Sequence, residues 1–379
     1  MRVAVTTLAF CVTSLIGLGL VMLYSSSMTQ DGAQYLKLQL VWLALGFILC
    51  VAAASIDYQL LKKFTWPLFL FACFLLVVVL LPMPHGITKK INGAHRWIIL
   101  PGMRLQPSEL GKIALIIALA WYGDRYQRRM ATFTWGILIP LCIIAAMLGL
   151  VFVEPDRGTT ILLAAVSGSL LLLSGVQWKF IVPPVILAAV GLVVSILHDP
   201  MRMKRIFSWL YLEENKSGVG FQAYQAMLAL GSGGWSGLGL GNGRQKLGFV
   251  PEDHTDFIFS IIGEELGLVA TLLIIVAFVV LIVCGLYIAL HARDTFGTLL
   301  AVGVTLLIGL QAAINIGVVT SALPNKGLPL PFISYGGSSM LAMLTCVGIL
   351  FSVARRAAPT RISDTDFVHN DNPFAARAA

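Results

Sequence analysis

Residues 256–290 read DFIFSIIGEELGLVATLLIIVAFVVLIVCGLYIAL, and apart from Asp256, Glu264 and Glu265 the stretch carries no charge. A bilayer's hydrocarbon is about 30 Å thick and is crossed by roughly 20 apolar residues in a helix. Backbone groups in hydrocarbon have no water to pair with, so the run must pair its own as a helix. A continuous helix here would be roughly 50 Å long at ~1.5 Å per residue. It therefore projects beyond the membrane or breaks near Gly263 or Gly267, and Asp256 lies at or above the outer interface.

The same pattern recurs on both sides of this stretch. Apolar runs at 5–25, 38–56, 66–82, 108–122, 134–153, 158–174, 180–197, 297–322 and 334–354 bring the total to ten. The expected fold class is all-α, a polytopic membrane protein with about ten transmembrane helices. Composition agrees: 58% of the 379 residues are hydrophobic and 12% charged, where ordinary domains carry about 25% charged. The mean hydropathy is +0.87. The first run has no A-x-A-like cleavage site after it, so it is read as a retained span. Residues 1–356 form one membrane domain with a large outer loop, 198–255, between helices 7 and 8. The polar tail 357–379 is expected to be a disordered cytoplasmic segment.

Ten spans put both termini on one side. That side collects Arg2, Lys62, Lys63, Arg125, Arg128, Arg129, Lys179, Arg293, Arg355 and Arg356, the expected cytoplasmic anchors. The other face holds Lys37, Lys89, Lys90, Arg96, Arg104, Arg157 and Lys326. Four of these seven lie in segment 83–107, which has no acidic residue and so opposes the trend. The net charge of +8 is spread over many loops. It suits lipid headgroups or an anionic substrate rather than nucleic acid. The six cysteines all lie in apolar runs without C-x-x-C spacing, so they read as buried, inert thiols. Segments 83–107 and 198–255 are too long for simple connectors and rich in aromatics, and are expected to fold back as interfacial helices or re-entrant pieces.

Four constellations carry the chemistry. The glycine-rich run 231–257 ends in PEDHTDF, with His254 and Asp256. Its glycines let backbone N–H groups approach an anionic headgroup, or simply make a surface turn. A carboxylate desolvated beside a membrane makes a useful general base, which fits Asp256; capping the helix is the competing role for Asp253, Thr255 or Asp256. Glu264 follows Asp256 by eight residues, on roughly the same helical face and about 12 Å deeper. In RLQPSELGKIA, 104–114, Ser108 reads as an N-cap after Pro107, and Glu109 and Lys112 share a face. An intramembrane ionisable pair is a functional hypothesis by default, and a structural ion pair is the alternative. In EPDRGTT, 154–160, Asp156 is placed to cap the sixth helix. In 315–339, Pro324, Pro329 and Pro331 forbid a continuous helix. There Ser334 and Gly336 either permit close helix packing or line a polar groove, and Gln311 and Asn315 read as interhelical hydrogen-bonding groups.

Taken together, these motifs resemble the SEDS family (shape, elongation, division and sporulation). The resemblance runs from about residue 10 to 356 through YSSS at 24–27, NGAHRWI at 92–98, QPSELGK at 106–112 and PDRGTT at 155–160. It continues through GFQAYQAMLALGSGGWSGLGLG at 220–241, QKLGFVPEDHTDFIFSIIGEELG at 245–267 and GLPLPFISYGGSS at 327–339. The loop motifs are closer to the family's FtsW branch than to its RodA branch. The resemblance implies an enzyme of the bacterial inner membrane, a peptidoglycan glycosyltransferase that polymerises lipid II into β-1,4 glycan strands at the outer face. It implies that Asp256 is the catalytic aspartate and that Glu109, Lys112 and Asp156 support it. An inverting displacement also needs cations near the departing diphosphate. Lys89, Lys90, Arg96, Arg104, Arg205 and Lys246 are available, together with a divalent cation, Mg or Mn, between carboxylate and phosphate; no organic cofactor is implied. The implied partners are a class B penicillin-binding protein acting as transpeptidase and, on the FtsW reading, division-complex proteins. A RodA-like elongation polymerase, a lipid II flippase without covalent chemistry and a non-catalytic scaffold for a wall transpeptidase are the rival readings.

Overall fold

The computed structural model describes residues 1–27, 34–81, 88–91, 94–100, 103–216, 218, 220–246 and 255–357, with only the backbone given at 88–91, 94–95, 100, 103 and 192. The tail expected to be disordered lies, from residue 358 onward, outside the described residues.

Ten long helices take up the ten apolar runs. They are α1 (Arg2–Ser27), α2 (Gln34–Ser55), α4 (Thr65–Leu80), α5 (Pro107–Arg125), α6 (Ile139–Val153), α7 (Arg157–Leu173), α8 (Trp178–Leu197), α11 (Ile258–Leu290), α12 (Thr295–Val319) and α13 (Gly337–Arg355). A π-turn at Thr134–Leu138 leads into α6. Among the described residues seven helices are long and apolar enough to cross a membrane on composition alone; α4 and α7 are apolar but shorter. The tenth, α5, carries Glu109, Lys112 and Asp124 and is buried on every face from Gly111 to Ala120. A helix with internal charges needs protein rather than lipid around it. α8 is the reverse case, apolar all round and exposed along nearly its whole length, as a lipid-facing helix should be.

The up-and-down order gathers the N-termini of α5, α7, α11 and α13 at one end, here the upper end, with the C-termini of α1 and α12. Residues 1 and 357 sit at the lower end. α11 breaks at Gly267, whose φ of 76° and ψ of −173° only glycine adopts readily. The glycine-rich loop is stitched to the break: Leu268 N donates to Gly234 O at 2.9 Å, and Gly239 N to Glu265 O at 3.0 Å.

Two expectations are corrected and one is met. Segment 83–107 holds an antiparallel sheet of β1 (Thr88–Ile91), β2 (Ala94–Leu100) and β3 (Met103–Leu105), in that order, rather than interfacial helices. Loop 198–255 does form helices, α9 (Pro200–Leu210) and α10 (Phe221–Ser232). Ser108 is not the N-cap of α5: Gln106 is, with Pro107 in the first turn, where a missing N–H costs nothing. A short helix, α3 (Tyr58–Lys63), also appears at the lower end. Of the cysteines, Cys142 is exposed and Cys73 half-buried, the other four buried.

Candidate active site

The site is built around the segment between α12 and α13. Its prolines prevent helix formation, so its carbonyls need donors from elsewhere. Two amides one turn apart on α12 supply them: Gln311 Nε2 donates to Pro329 O at 2.9 Å, and Asn315 Nδ2 to Leu328 O at 2.6 Å. Asn315 Nδ2 also reaches Asp256 O at 2.8 Å. Gly327 lies against the Asp256 side chain so closely that a Cβ there would overlap Oδ2. The N-cap of α11 is Phe257, whose side chain makes no cap bond, and Asp256 is the residue just before it.

Behind this strap, Lys112 Nζ stands 2.8 Å from Glu109 Oε2 and donates to Gln311 Oε1 at 2.9 Å. Lys112 is 0% exposed. The pair thus holds Gln311, which holds Pro329.

Asp156 caps α7, accepting from Thr159 N at 3.1 Å and Thr159 Oγ1 at 2.9 Å. It also accepts from Gln106 Nε2 at 3.4 Å. Ser108, buried, accepts from the same Gln106 nitrogen at 3.0 Å. Lys326, next to Gly327 on the strap, is half-buried near Asp156 and Arg157. Burial and the Arg157 charge push its ammonium below the ordinary lysine range, while Asp156 acts the other way. Its loop position gave no sign of this burial, so sequence reasoning left Lys326 out of the site.

The expected cations fare differently. Arg96 is anchored to main chain, donating from Nε to Glu154 O at 3.1 Å and from Nη2 to Pro155 O at 2.7 Å. Arg104 is exposed on β3 and close enough to Tyr335 for its charge to offset the burial that raises that phenol. Arg205 is exposed on α9. The side chains of Lys89 and Lys90, and His254 entirely, lie outside the described residues.

Lys246 is reassigned. It is buried, and its ammonium donates to Glu265 Oε1 at 2.7 Å, Gly241 O at 2.9 Å and Ser25 Oγ at 3.0 Å. An ammonium has three N–H groups, so none remains for a phosphate. Glu264 is likewise turned to the loop, accepting from Arg244 N at 2.8 Å and Gln245 N at 3.2 Å. Glu265 accepts from Gly241 N at 3.0 Å and Gly243 N at 3.3 Å. The anion that these loop N–H groups bind is the protein's own pair of carboxylates. Ser334 and Gly336 serve packing: Ser334 Oγ accepts from Leu330 N at 2.8 Å, and Gly336 N donates to Gln39 Oε1 at 3.3 Å.

Glu154, just past the end of α6, was not singled out from sequence. It is 0% exposed, and neither carboxyl oxygen has a hydrogen-bond partner among the described residues. Burial, then Asp156, push it from 4.5 to about 8, with Arg96 opposing. The unfolded chain loses this proton near 4.5 while the folded protein keeps it to about 8. Stability therefore falls as pH rises through that window, by up to about 1.4 kcal/mol per pH unit. Glu154→Gln stays neutral throughout. It is expected to melt above wild type at pH 8 and nearly with it at pH 5; identical shifts at both pH values would refute a neutral buried Glu154.

An apolar cavity of about 450 Å³ completes the upper end. It is lined at the upper end by Gln106, Glu109 and Ser338 and runs between α2, α4, α5 and α13 to Asp57, Tyr58 and Ser352 at the lower end. Between the two ends its wall is aliphatic apart from Thr345. Among the described residues no three carboxylate, histidine or cysteine side chains converge on a metal position.

Fold and site define a polytopic helical membrane protein whose buried charged residues gather at one end, beside an apolar cavity that reaches Glu109. A family model for FtsW, RodA and SpoVE, described as "Cell cycle protein", matches residues 6–358, and the chain belongs to that family. It is 42% identical over 353 residues to a probable peptidoglycan glycosyltransferase FtsW of Trichlorobacter lovleyi, covering 92% of each chain. It is 38% identical to the protein so described from Coxiella burnetii, covering 92% of this chain and 95% of that one. Among solved structures, one described as the structural coordination of polymerization and crosslinking by a peptidoglycan synthase complex superimposes with a TM-score of 0.77 at 26% identity, over 92% of this chain and 96% of that one. Thermus thermophilus RodA superimposes with a TM-score of 0.67 at 26% identity, over 93% and 97%.

Proposed function

We propose that the protein is a peptidoglycan glycosyltransferase that polymerises lipid II, a disaccharide-peptide on undecaprenyl pyrophosphate, into β-1,4-linked strands. The observation that carries this reading is the Asp256 carboxylate held against Gly327, one residue from the half-buried Lys326. A base, with a cation on the strap that packs against it, is what the displacement needs. The acceptor's 4-hydroxyl oxygen attacks the anomeric carbon of the α-linked donor while Asp256 takes the hydroxyl proton. The bond from that carbon to the diphosphate breaks, and undecaprenyl pyrophosphate departs with both electrons. One inversion turns the α-linkage into a β-linkage. Lys326, with Arg104 at the rim, steadies the charge on the departing group.

The apolar cavity below Gln106 and Ser338 takes the polyprenyl tail. Its aliphatic middle supports a tail site over the flippase reading, because a sugar-diphosphate headgroup crossing there would leave its polar groups unpaired. A Mg or Mn ion fits as a guest of Asp256 and the substrate's phosphates, a donor set usual for Mg²⁺; such an ion would neutralise phosphate charge.

The upper end faces out of the inner membrane, and both termini are cytoplasmic, in line with the basic lower loops. The relatives' names favour the division branch, with division-complex proteins around it, and the partner is a transpeptidase of the penicillin-binding class that cross-links the new strand. The test is strand formation from lipid II by the purified protein, alone and with that partner. Expected are long β-1,4 strands in at least one arm. Lipid II translocation across vesicles without any strand formation would reject the reading in favour of a flippase.

A further inference from the structure

Asn315 lies on α12, one turn beyond Gln311, and is 1% exposed. Its amide nitrogen carries two N–H groups, and both are committed, to Asp256 O at 2.8 Å and Leu328 O at 2.6 Å. Flipping the amide would set its oxygen against two carbonyl oxygens, so the chemistry dictates the orientation. The arrangement has a visible cost. Asn315 Oδ1 is buried and accepts no hydrogen bond among the described residues, so its desolvation goes uncompensated. The amide gives up its oxygen to fix two carbonyls from segments far apart in the chain.

Those two carbonyls matter because of what they carry. One belongs to the peptide of Asp256 itself. The other follows Gly327, the residue against the Asp256 carboxylate, and Lys326 precedes it. A single side chain therefore sets the spacing between the carboxylate and the strap that bears the ammonium. Gln311 adds a second rung by holding Pro329 O at 2.9 Å, and is itself held by Lys112 at 2.9 Å.

We propose that Asn315 is a positioning residue for Asp256. It touches no substrate, and it acts by fixing Asp256, two residues before α11, to the 326–329 strap. The inference rests on the reading of Asp256 as the general base. Misplacing a reacting group by about 1 Å can cost about 10²-fold in rate.

The experiment uses the full chain with its transpeptidase partner and lipid II, and compares Asn315→Leu, Asn315→Ser, Asp256→Asn and the double variant Asp256→Asn/Asn315→Leu. Asn315→Leu is expected to lower kcat about 10²-fold with KM unchanged, and Asn315→Ser, which keeps one donor, to recover part of the loss. The double variant should be no slower than Asp256→Asn alone. Wild-type kcat in Asn315→Leu, a loss confined to KM, or a further full loss in the double variant overturns the proposal. So does failure of both Asn315 variants to fold while Asp256→Asn folds, which would make the amide purely structural. Full activity in Asp256→Asn strikes the base assignment itself; an inactive Asp256→Asn beside a fully active Asn315→Leu strikes only the positioning role.

Discussion

Asp256→Asn is expected to reduce strand formation from lipid II by at least about 10²-fold, since a general base contributes roughly 10²–10⁴. The protein should fold normally. Asn315 grips the main chain of residue 256 rather than its carboxylate, so that hold survives the substitution. The isosteric amide keeps the shape and removes the negative charge, and with it the ability to take a proton. Gly327→Ala offers an independent route to the same result. A methyl group there collides with Asp256 Oδ2 and must displace it without altering its chemistry. Reduced activity in both, with melting temperature and membrane insertion intact, is the expected pattern. Undiminished polymerisation by purified Asp256→Asn would remove the residue from the chemistry and with it the mechanism built on it.

The spans were legible because hydrocarbon imposes a simple rule on sequence, and even α5 could be read through its Glu109 and Lys112. The excess length of the α11 run left projection beyond the membrane or a break near Gly263 or Gly267, and the positive φ places the break at Gly267. The sheet at 88–105 was hidden by its own composition. The signal was there, with Asn92-Gly93 between a Lys-rich run and AHRWIIL, a pairing favoured in tight hairpins. Four basic residues drew attention to charge instead. What no periodicity reveals is which distant groups meet. Eight residues put Glu264 below Asp256 on a helical wheel, yet the folded loop brings the N–H groups of Arg244 and Gln245 to its carboxylate. Lys246 looked like a free cation until Ser25, Gly241 and Glu265 closed around it. Lys326 was one of several cations on the outer face, and the packing of the strap half-buries it.

The buried pair of Glu109 and Lys112 should yield the largest losses of folded protein. Lys112 has no exposed surface, and its ammonium is balanced by Glu109 at 2.8 Å. Removing one partner of a buried pair leaves a lone charge and typically costs about 3–5 kcal/mol, whereas replacing both with neutral groups of similar volume is often tolerated. Glu109→Ala and Lys112→Met are therefore each expected to lower the yield and melting temperature sharply, by fluorescence-detected size exclusion and thermal melts. The double variant Glu109→Leu/Lys112→Met should recover much of the lost fold. It should not recover polymerisation, because Gln311 then loses the ammonium that holds its oxygen and the strap at Pro329 loosens. This separates two roles that a single variant confuses. Recovery of both folding and activity would make the pair a device of cohesion alone. Failure to recover folding would mean that the ammonium's bond to Gln311, rather than charge balance, is what the core requires.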